Sequence, residues 1–150
     1  MVKMNARQLR NSSLGKSLKK ARSEKRVNEI YIILDNVLDT KASINTTEVV
    51  EWEYCESASD AVRKCKVQSA KCKIVAIEQS INSAPYDKFD YTLPIALVVG
   101  HESEGVPQKT LDLCDAIVEI PMFGVNISLN VMVSLAIVLY KAIEKLPKTD

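Results

Sequence analysis

Apolar residues along this chain come in short blocks separated by polar or glycine-containing turns. Glu29 to Asp35 (EIYIILD) is an Ile-rich run that predicts a buried strand. Val49 to Tyr54 (VVEWEY) alternates and predicts a second strand. Ser57 with Asp60 three residues on is like a capping box with Asp in place of Glu, and opens a predicted helix over Ala58 to Ser69. Lys73 to Glu78 (KIVAIE) predicts the next strand, and the polar stretch from Gln79 to Leu93, with Pro85, a loop. Ile95 to Val99 (IALVV) is a continuous apolar strand ending at Gly100. Pro107 suits the first turn of a short helix through Cys114, and Ala116 to Ile120 (AIVEI) predicts a strand closed by Pro121. Ser128 is placed to cap a final helix over roughly Leu129 to Leu146. Its apolar positions Val131, Leu135, Val138, Leu139 and Ile143 give it a wide apolar face. Apolar strands alternating with helices predict an α/β fold, a mostly parallel sheet flanked by helices, with ligand loops at the carboxyl ends of the strands.

Composition adds bounds. The 150 residues suffice for one domain with a sizeable core. No apolar run approaches the roughly 20 residues that span a bilayer, so no membrane association is expected. The N-terminus is positively charged with no apolar stretch behind it, which makes a cytoplasmic location the default expectation. Cys55, Cys65, Cys72 and Cys114 form no C-x-x-C pair, and His101 is the single histidine. No metal site is expected, and the cysteines read as reduced, mostly buried thiols.

The net charge of +1 conceals an asymmetry. Residues 1–27 carry Lys3, Arg7, Arg10, Lys16, Lys19, Lys20, Arg22, Lys25 and Arg26 against Glu24 alone, a net +8, which leaves the remainder at −7. A basic segment ahead of a mildly acidic domain suits a polyanion partner, because phosphate contacts release counterions. A solvated tail explains the same charge.

Two loops follow strands and are rich in small and polar residues. The first is Gly100-His101-Glu102-Ser103-Glu104-Gly105, neither a Walker A loop nor a dinucleotide fingerprint. Alone it reads equally as a strand-to-helix turn. The second runs Ile120-Pro121-Met122-Phe123-Gly124-Val125-Asn126-Ile127-Ser128-Leu129-Asn130 into the last helix. Backbone groups in such a loop are free to bind a purine or a carboxylate, although Ser128 also reads as a helix cap worth ~1 kcal/mol.

Together, G-x-E-x-x-G after a strand and E-I-P-x-x-G-x-x-x-S-L-N before a long helix resemble the second and third motifs of SpoU-type RNA ribose methyltransferases, of the SPOUT class. The match runs from Leu97 to Tyr140 nearly throughout, with weaker similarity at Trp52-Glu53-Tyr54 and over Ile74 to Gln79. The resemblance implies a SPOUT-like domain over residues 28–150 with a C-terminal deep trefoil knot, and a basic segment over residues 1–27. It implies S-adenosylmethionine as cofactor, bent in the knot between Val99, Gly100 and Gly105 on one side and Ile120, Met122 and Leu129 around the adenine. Glu102, Ser128 and Asn130 match the family's polar active-site positions. The expected reaction is methyl transfer to a ribose 2′-hydroxyl of tRNA or rRNA, with Arg7, Arg10, Lys19, Lys20 and Arg22 as RNA contacts. A homodimer through the C-terminal helix is also implied. His101 stands where the family usually has Asn, a tolerated substitution or a titrating group.

The chain departs from the family pattern after Ile32-Ile33-Leu34-Asp35-Asn36-Val37. A first motif with an Asn and a hydroxyl-activating Arg should follow, but Leu38-Asp39-Thr40 leads directly into Lys41-Ala42-Ser43, which is similar to family sequence a few dozen residues later. No Arg lies between Arg26 and Arg63. Three explanations fit: a loop left out between Thr40 and Lys41, a real deletion, or a non-catalytic cofactor-binding or RNA-binding relative.

Overall fold

The computed structural model describes residues 30–35, 53–125 and 128–144. The chain divides into two units, residues 1–28 with 38–55 and residues 29–37 with 56–150, and every strand and helix described belongs to the second. Its elements are β1 (Ile30–Leu34), α1 (Ala58–Gln68), β2 (Lys73–Ile77), β3 (Ala84–Pro85), β4 (Ile95–Val99), α2 (Gln108–Leu111), β5 (Ala116–Glu119) and α3 (Val131–Ile143). The five strands form one sheet in the order β1-β4-β2-β5-β3, and every pair is parallel. The α/β class and the parallel sheet are as the hydrophobic pattern predicts.

Side chains alternate across the sheet, so each strand feeds two cores. Ile74, Ala76, Ala96 and Val98 face one way and pack with Ala58, Val62 and Cys65 of α1. Val75, Ile77, Leu97 and Val99 face the other way and pack with Leu135, Val138 and Ala142 of α3. β2 and β4 are central and covered on both faces, which is why they read as unbroken apolar runs. Full burial of each such aliphatic side chain contributes about 1.5–3 kcal/mol.

Several expectations are corrected. Among the described residues β1 is an edge strand of this sheet, paired with β4 alone, and Ile32 and Leu34 are 45% and 51% exposed, so it is not the buried strand its composition suggested. An edge strand has a neighbour on one side only. Residues 49–52 of the expected second strand lie outside the described residues, and Glu53 and Tyr54 have no regular structure. The loop from Gln79 to Leu93 contains β3, which pairs with β5 through Ala84↔Val118 and Pro85↔Glu119. A proline fits there because β3 is an edge strand. α2 covers only Gln108 to Leu111, with Pro107 preceding it as N-cap, and turns continue to Cys114.

The two long helices start on side-chain caps. Ser57 Oγ accepts from Asp60 N–H at 3.1 Å, as expected. The return half of the capping box is different: Asp60 accepts from the Ser57 hydroxyl, at 2.7 Å, and pairs with Arg63. The shorter Asp side chain makes this local exchange, and the Asp60 carboxyl is held low chiefly by the Ser57 bond. α3 is capped by Asn130, whose Oδ1 accepts from Met132 N–H at 2.9 Å and Val133 N–H at 3.3 Å. The predicted Ser128 cap is therefore corrected. Asn is as good a cap as Ser, and Leu129 stays outside the helix. No helix among the described residues is long and apolar enough to cross a membrane.

Candidate active site

Because all five strands run the same way, their carboxyl ends share one edge of the sheet. β1 is followed by Asp35, β2 by Glu78, β4 by the Gly100–Val106 turn and β5 by the Ile120–Val125 loop. Asp35 N–H donates to Val99 O at 2.9 Å, so β1 and β4 stay paired to their last residues. Burial pushes the Asp35 carboxyl above its usual range, with Lys109 opposing.

The first loop is a closed turn. Gly105 N–H donates to His101 O at 2.9 Å, and the two residues form an isolated antiparallel bridge. Gly105 has φ +68, the left-handed region where a side chain is strained. A Cβ on buried Gly100 would overlap the Gly105 backbone, so both glycines are required by shape. His101 Nδ1 accepts from Ser103 N–H at 3.2 Å and lies 3.0 Å from the Ser103 hydroxyl, so His101 shapes the turn that carries Glu102.

Glu78 is the residue that sequence reasoning did not single out. Its Oε2 accepts from Val106 N–H at 2.9 Å and its Oε1 from Gln79 N–H at 2.9 Å. Its own N–H donates to Val118 O at 3.0 Å. The sequence signals were an acid at the end of a predicted apolar strand and weak family similarity over Ile74 to Gln79.

The structure brings the predicted cofactor residues to this one edge. Val99 is buried at the end of β4, Gly105 is half-buried, and Ile120 and Met122 are half-buried in the β5 loop. Val99, Ile120, Val131 and Met132 share one apolar cluster, which joins the β4 end, the β5 loop and the first turn of α3. Leu129 is 38% exposed and Phe123 is 96% exposed beside that turn. Glu102, Ser128 and Asn130 are exposed, and the Asn130 carbonyl oxygen atom Oδ1 is engaged as the helix cap. Asn126, Ile127, the Thr40–Lys41 junction and the basic residues Arg7, Arg10, Lys19, Lys20 and Arg22 lie outside the described residues.

The remaining polar chemistry is structural. Asp115 accepts from Ile74 N–H at 2.8 Å and pairs with Lys66 at 2.9 Å. Burial raises its carboxyl, but the Ile74 bond and Lys66 outweigh burial and hold it below the usual range. All four cysteines are free thiols. Burial, and then contact with Cys65, pushes the Cys72 thiol up to about 12, and burial pushes Cys114 up to about 11. Among the described residues no group of His, Cys, Asp and Glu is arranged to hold a metal.

The model of the SpoU rRNA methylase family matches residues 26–140. The chain belongs to the SpoU rRNA methylase family. It is 34% identical over 120 residues to a tRNA (guanosine(18)-2′-O)-methyltransferase of Aquifex aeolicus, covering 77% of this chain and 57% of that protein. It resembles the crystal structure of the A. aeolicus TrmH/SpoU tRNA modifying enzyme with a TM-score of 0.64 and 26% identity, over 89% of this chain and 84% of that one. The fold is also that of AviRb, a SpoU methyltransferase of Streptomyces viridochromogenes solved with AdoMet, at TM-score 0.58 and 22% identity, over 88% and 55% of the two chains. The chain spans about half the length of the curated relatives it matches. The parallel α/β fold is thus shared with these SpoU structures.

Proposed function

We propose that this chain is an S-adenosylmethionine-dependent RNA methyltransferase that methylates a ribose 2′-hydroxyl in tRNA or rRNA. One observation carries the reading. In a SpoU-family chain, the closed Gly100–Val106 turn and the Ile120–Val125 loop lie at one sheet edge, the turn tied to β2 by Glu78 and the loop packed with the β4 end and α3 by the Val99–Ile120–Val131–Met132 cluster. A relative 34% identical over 120 residues is named a tRNA (guanosine(18)-2′-O)-methyltransferase, and a SpoU methyltransferase of this fold was solved with AdoMet.

The residues present fit that cofactor. Ile120, Met122 and Leu129 offer apolar surface to an adenine. In this reading the backbone at Val99, Gly100 and Gly105, at the carboxyl end of β4, lines the other side of the pocket. When bound, the group supplies an electrophilic sulfonium methyl. Glu102 accepts hydrogen bonds and orients neighbouring groups, while Ser128 and Asn130 hold the loop and a phosphate or ribose of the RNA. Placing the ribose oxygen in line with the methyl is the largest service such a site performs, and removal of the hydroxyl proton is the second. In this reading the domain spans residues 28–150, and α3 passes through a loop to close a deep trefoil knot. Two copies pair through α3, which carries exposed Val133, Tyr140 and Ile143. Residues 1–27 contact the RNA backbone through Arg7, Arg10, Lys19, Lys20 and Arg22.

A second reading has its own observation: no Arg lies between Arg26 and Arg63, where the family carries its hydroxyl-activating Arg. It makes the chain a cofactor-binding or RNA-binding relative without turnover. Incubation with methyl-labelled S-adenosylmethionine and total RNA separates the two. Label at ribose 2′-oxygens is the expected result. Cofactor binding by calorimetry with no transfer would establish the second reading instead.

A further inference from the structure

We infer that Glu78 is a positioning residue that ties the Gly100–Val106 turn of the candidate cofactor site to the end of β2. This rests on the methyltransferase reading for its functional consequence, and on the geometry alone for its structural one. β2 lies between β4 and β5 in the sheet, so its last residues are the one stretch of chain flanked by both loops. Glu78 bonds the first loop with its side chain and strand β5, ahead of the second loop, with its backbone. Its backbone N–H donates to Val118 O, near the end of β5, at 3.0 Å. Its carboxylate Oε2 accepts from Val106 N–H, at the close of the Gly100 turn, at 2.9 Å. The other oxygen is occupied by Gln79 N–H at 2.9 Å. Both carboxylate oxygens are therefore engaged by backbone donors, which fixes the side chain. Backbone N–H bonds to an ionised carboxylate are also about twice as strong as neutral ones.

The same contact explains the second glycine of the G-x-E-x-x-G turn. A Cβ at Gly105 would overlap Glu78 Oε2 and crowd its carboxyl carbon. Glycine at 105 thus satisfies two demands, the φ of +68 and the approach of the Glu78 carboxylate. The two residues are coupled: the loop closes on the acid because no side chain stands between them. Glu102 lies within the turn so closed, and Ile120 follows directly on the strand to which Glu78 is bonded.

The test uses the full chain with Glu78→Ala, Glu78→Gln, Gly105→Ala and the Glu78→Ala/Gly105→Ala double variant. Hydrogen exchange reads the turn directly. The Val106 amide is expected to exchange at least about tenfold faster in Glu78→Ala, with α1 and α3 amides unchanged, because one charge-assisted bond is removed. Glu78→Gln keeps one acceptor oxygen and is expected to restore Val106 protection to within about threefold. Gly105→Ala should cost less stability in the Glu78→Ala background than in the wild type, because the overlap with the carboxylate is gone while the φ strain remains. By calorimetry, S-adenosylmethionine is expected to bind about tenfold more weakly to Glu78→Ala, with near-native affinity for Glu78→Gln. Unchanged Val106 exchange in Glu78→Ala, or strictly additive costs in the double variant, overturns the coupling. Wild-type protein that binds no S-adenosylmethionine overturns the methyltransferase reading instead, and the exchange and additivity results still decide the role of Glu78.

Discussion

Glycine is used here for shape at two positions and not at a third, a contrast that can be tested one residue at a time. Gly105→Ala places a Cβ at φ +68 and against Glu78, and is expected to cost about 1–3 kcal/mol in chemical denaturation. A Cβ at Gly124 meets nothing within 4 Å, so Gly124→Ala should stay within about 0.5 kcal/mol of the wild type by the same measurement. Two glycines from the two motifs thus have different reasons to be there. Asn130 has two proposed duties, cap and active-site group, and substitutions separate them. Asn130→Ala removes the acceptor for Met132 and Val133 and is expected to lower stability by ~1 kcal/mol, a Tm fall of about 2–4 °C. Asn130→Asp retains the cap and should keep the Tm. If methyl transfer falls in Asn130→Asp at unchanged Tm, the amide has a duty beyond capping.

Elements are joined by few but specific polar contacts, and Asp115 is the clearest. It lies just before β5, accepts from the backbone of β2 at Ile74 and pairs with Lys66 on α1. Burial works against its ionised form, but the Ile74 bond and Lys66 prevail, and its folded value lies below the ordinary 3.8. A carboxyl depressed on folding contributes stability that is complete above the unfolded value and disappears as pH falls below it toward the folded value. Urea midpoints of the wild type should therefore drop between pH 5 and about pH 3 more steeply than those of Asp115→Asn, which lacks this linkage. Equal acid slopes for the two proteins would remove Asp115 from the account. The helix and strand identities at this scale were legible wherever a run was covered on both faces, as at Ile95 to Val99. They were misjudged where neighbours decide. β1 has the composition of a central strand and lies at an edge, and Ala84–Pro85 has no strand pattern yet pairs with β5.

At the scale of the whole molecule, the charge asymmetry sets an expectation for the RNA. If residues 1–27 contact phosphates, replacing Arg7, Arg10, Lys19, Lys20 and Arg22 by Ala should weaken binding of different RNAs alike. It should also flatten the salt dependence, by roughly 0.7–0.9 in log–log slope for each phosphate that is no longer neutralised. Filter binding across a salt series measures both, and an unchanged slope would separate the basic segment from RNA. Family, fold class and the two motif loops were all legible in the sequence, because hydrophobic period, glycine spacing and capping residues are local properties written in consecutive positions. Which loops meet was not legible. The order β1-β4-β2-β5-β3 places the ends of β2, β4 and β5 side by side although they are far apart along the chain. That adjacency turns Glu78 from an ordinary acid after a strand into an anchor for the Gly100–Val106 turn. The cap of α3 is Asn130 and not Ser128, and Val131 and Met132 of its first turn pack in one cluster with Val99 and Ile120. Local pattern determined what each segment is, and long-range packing, which depends on contacts between distant residues, decided what each segment touches.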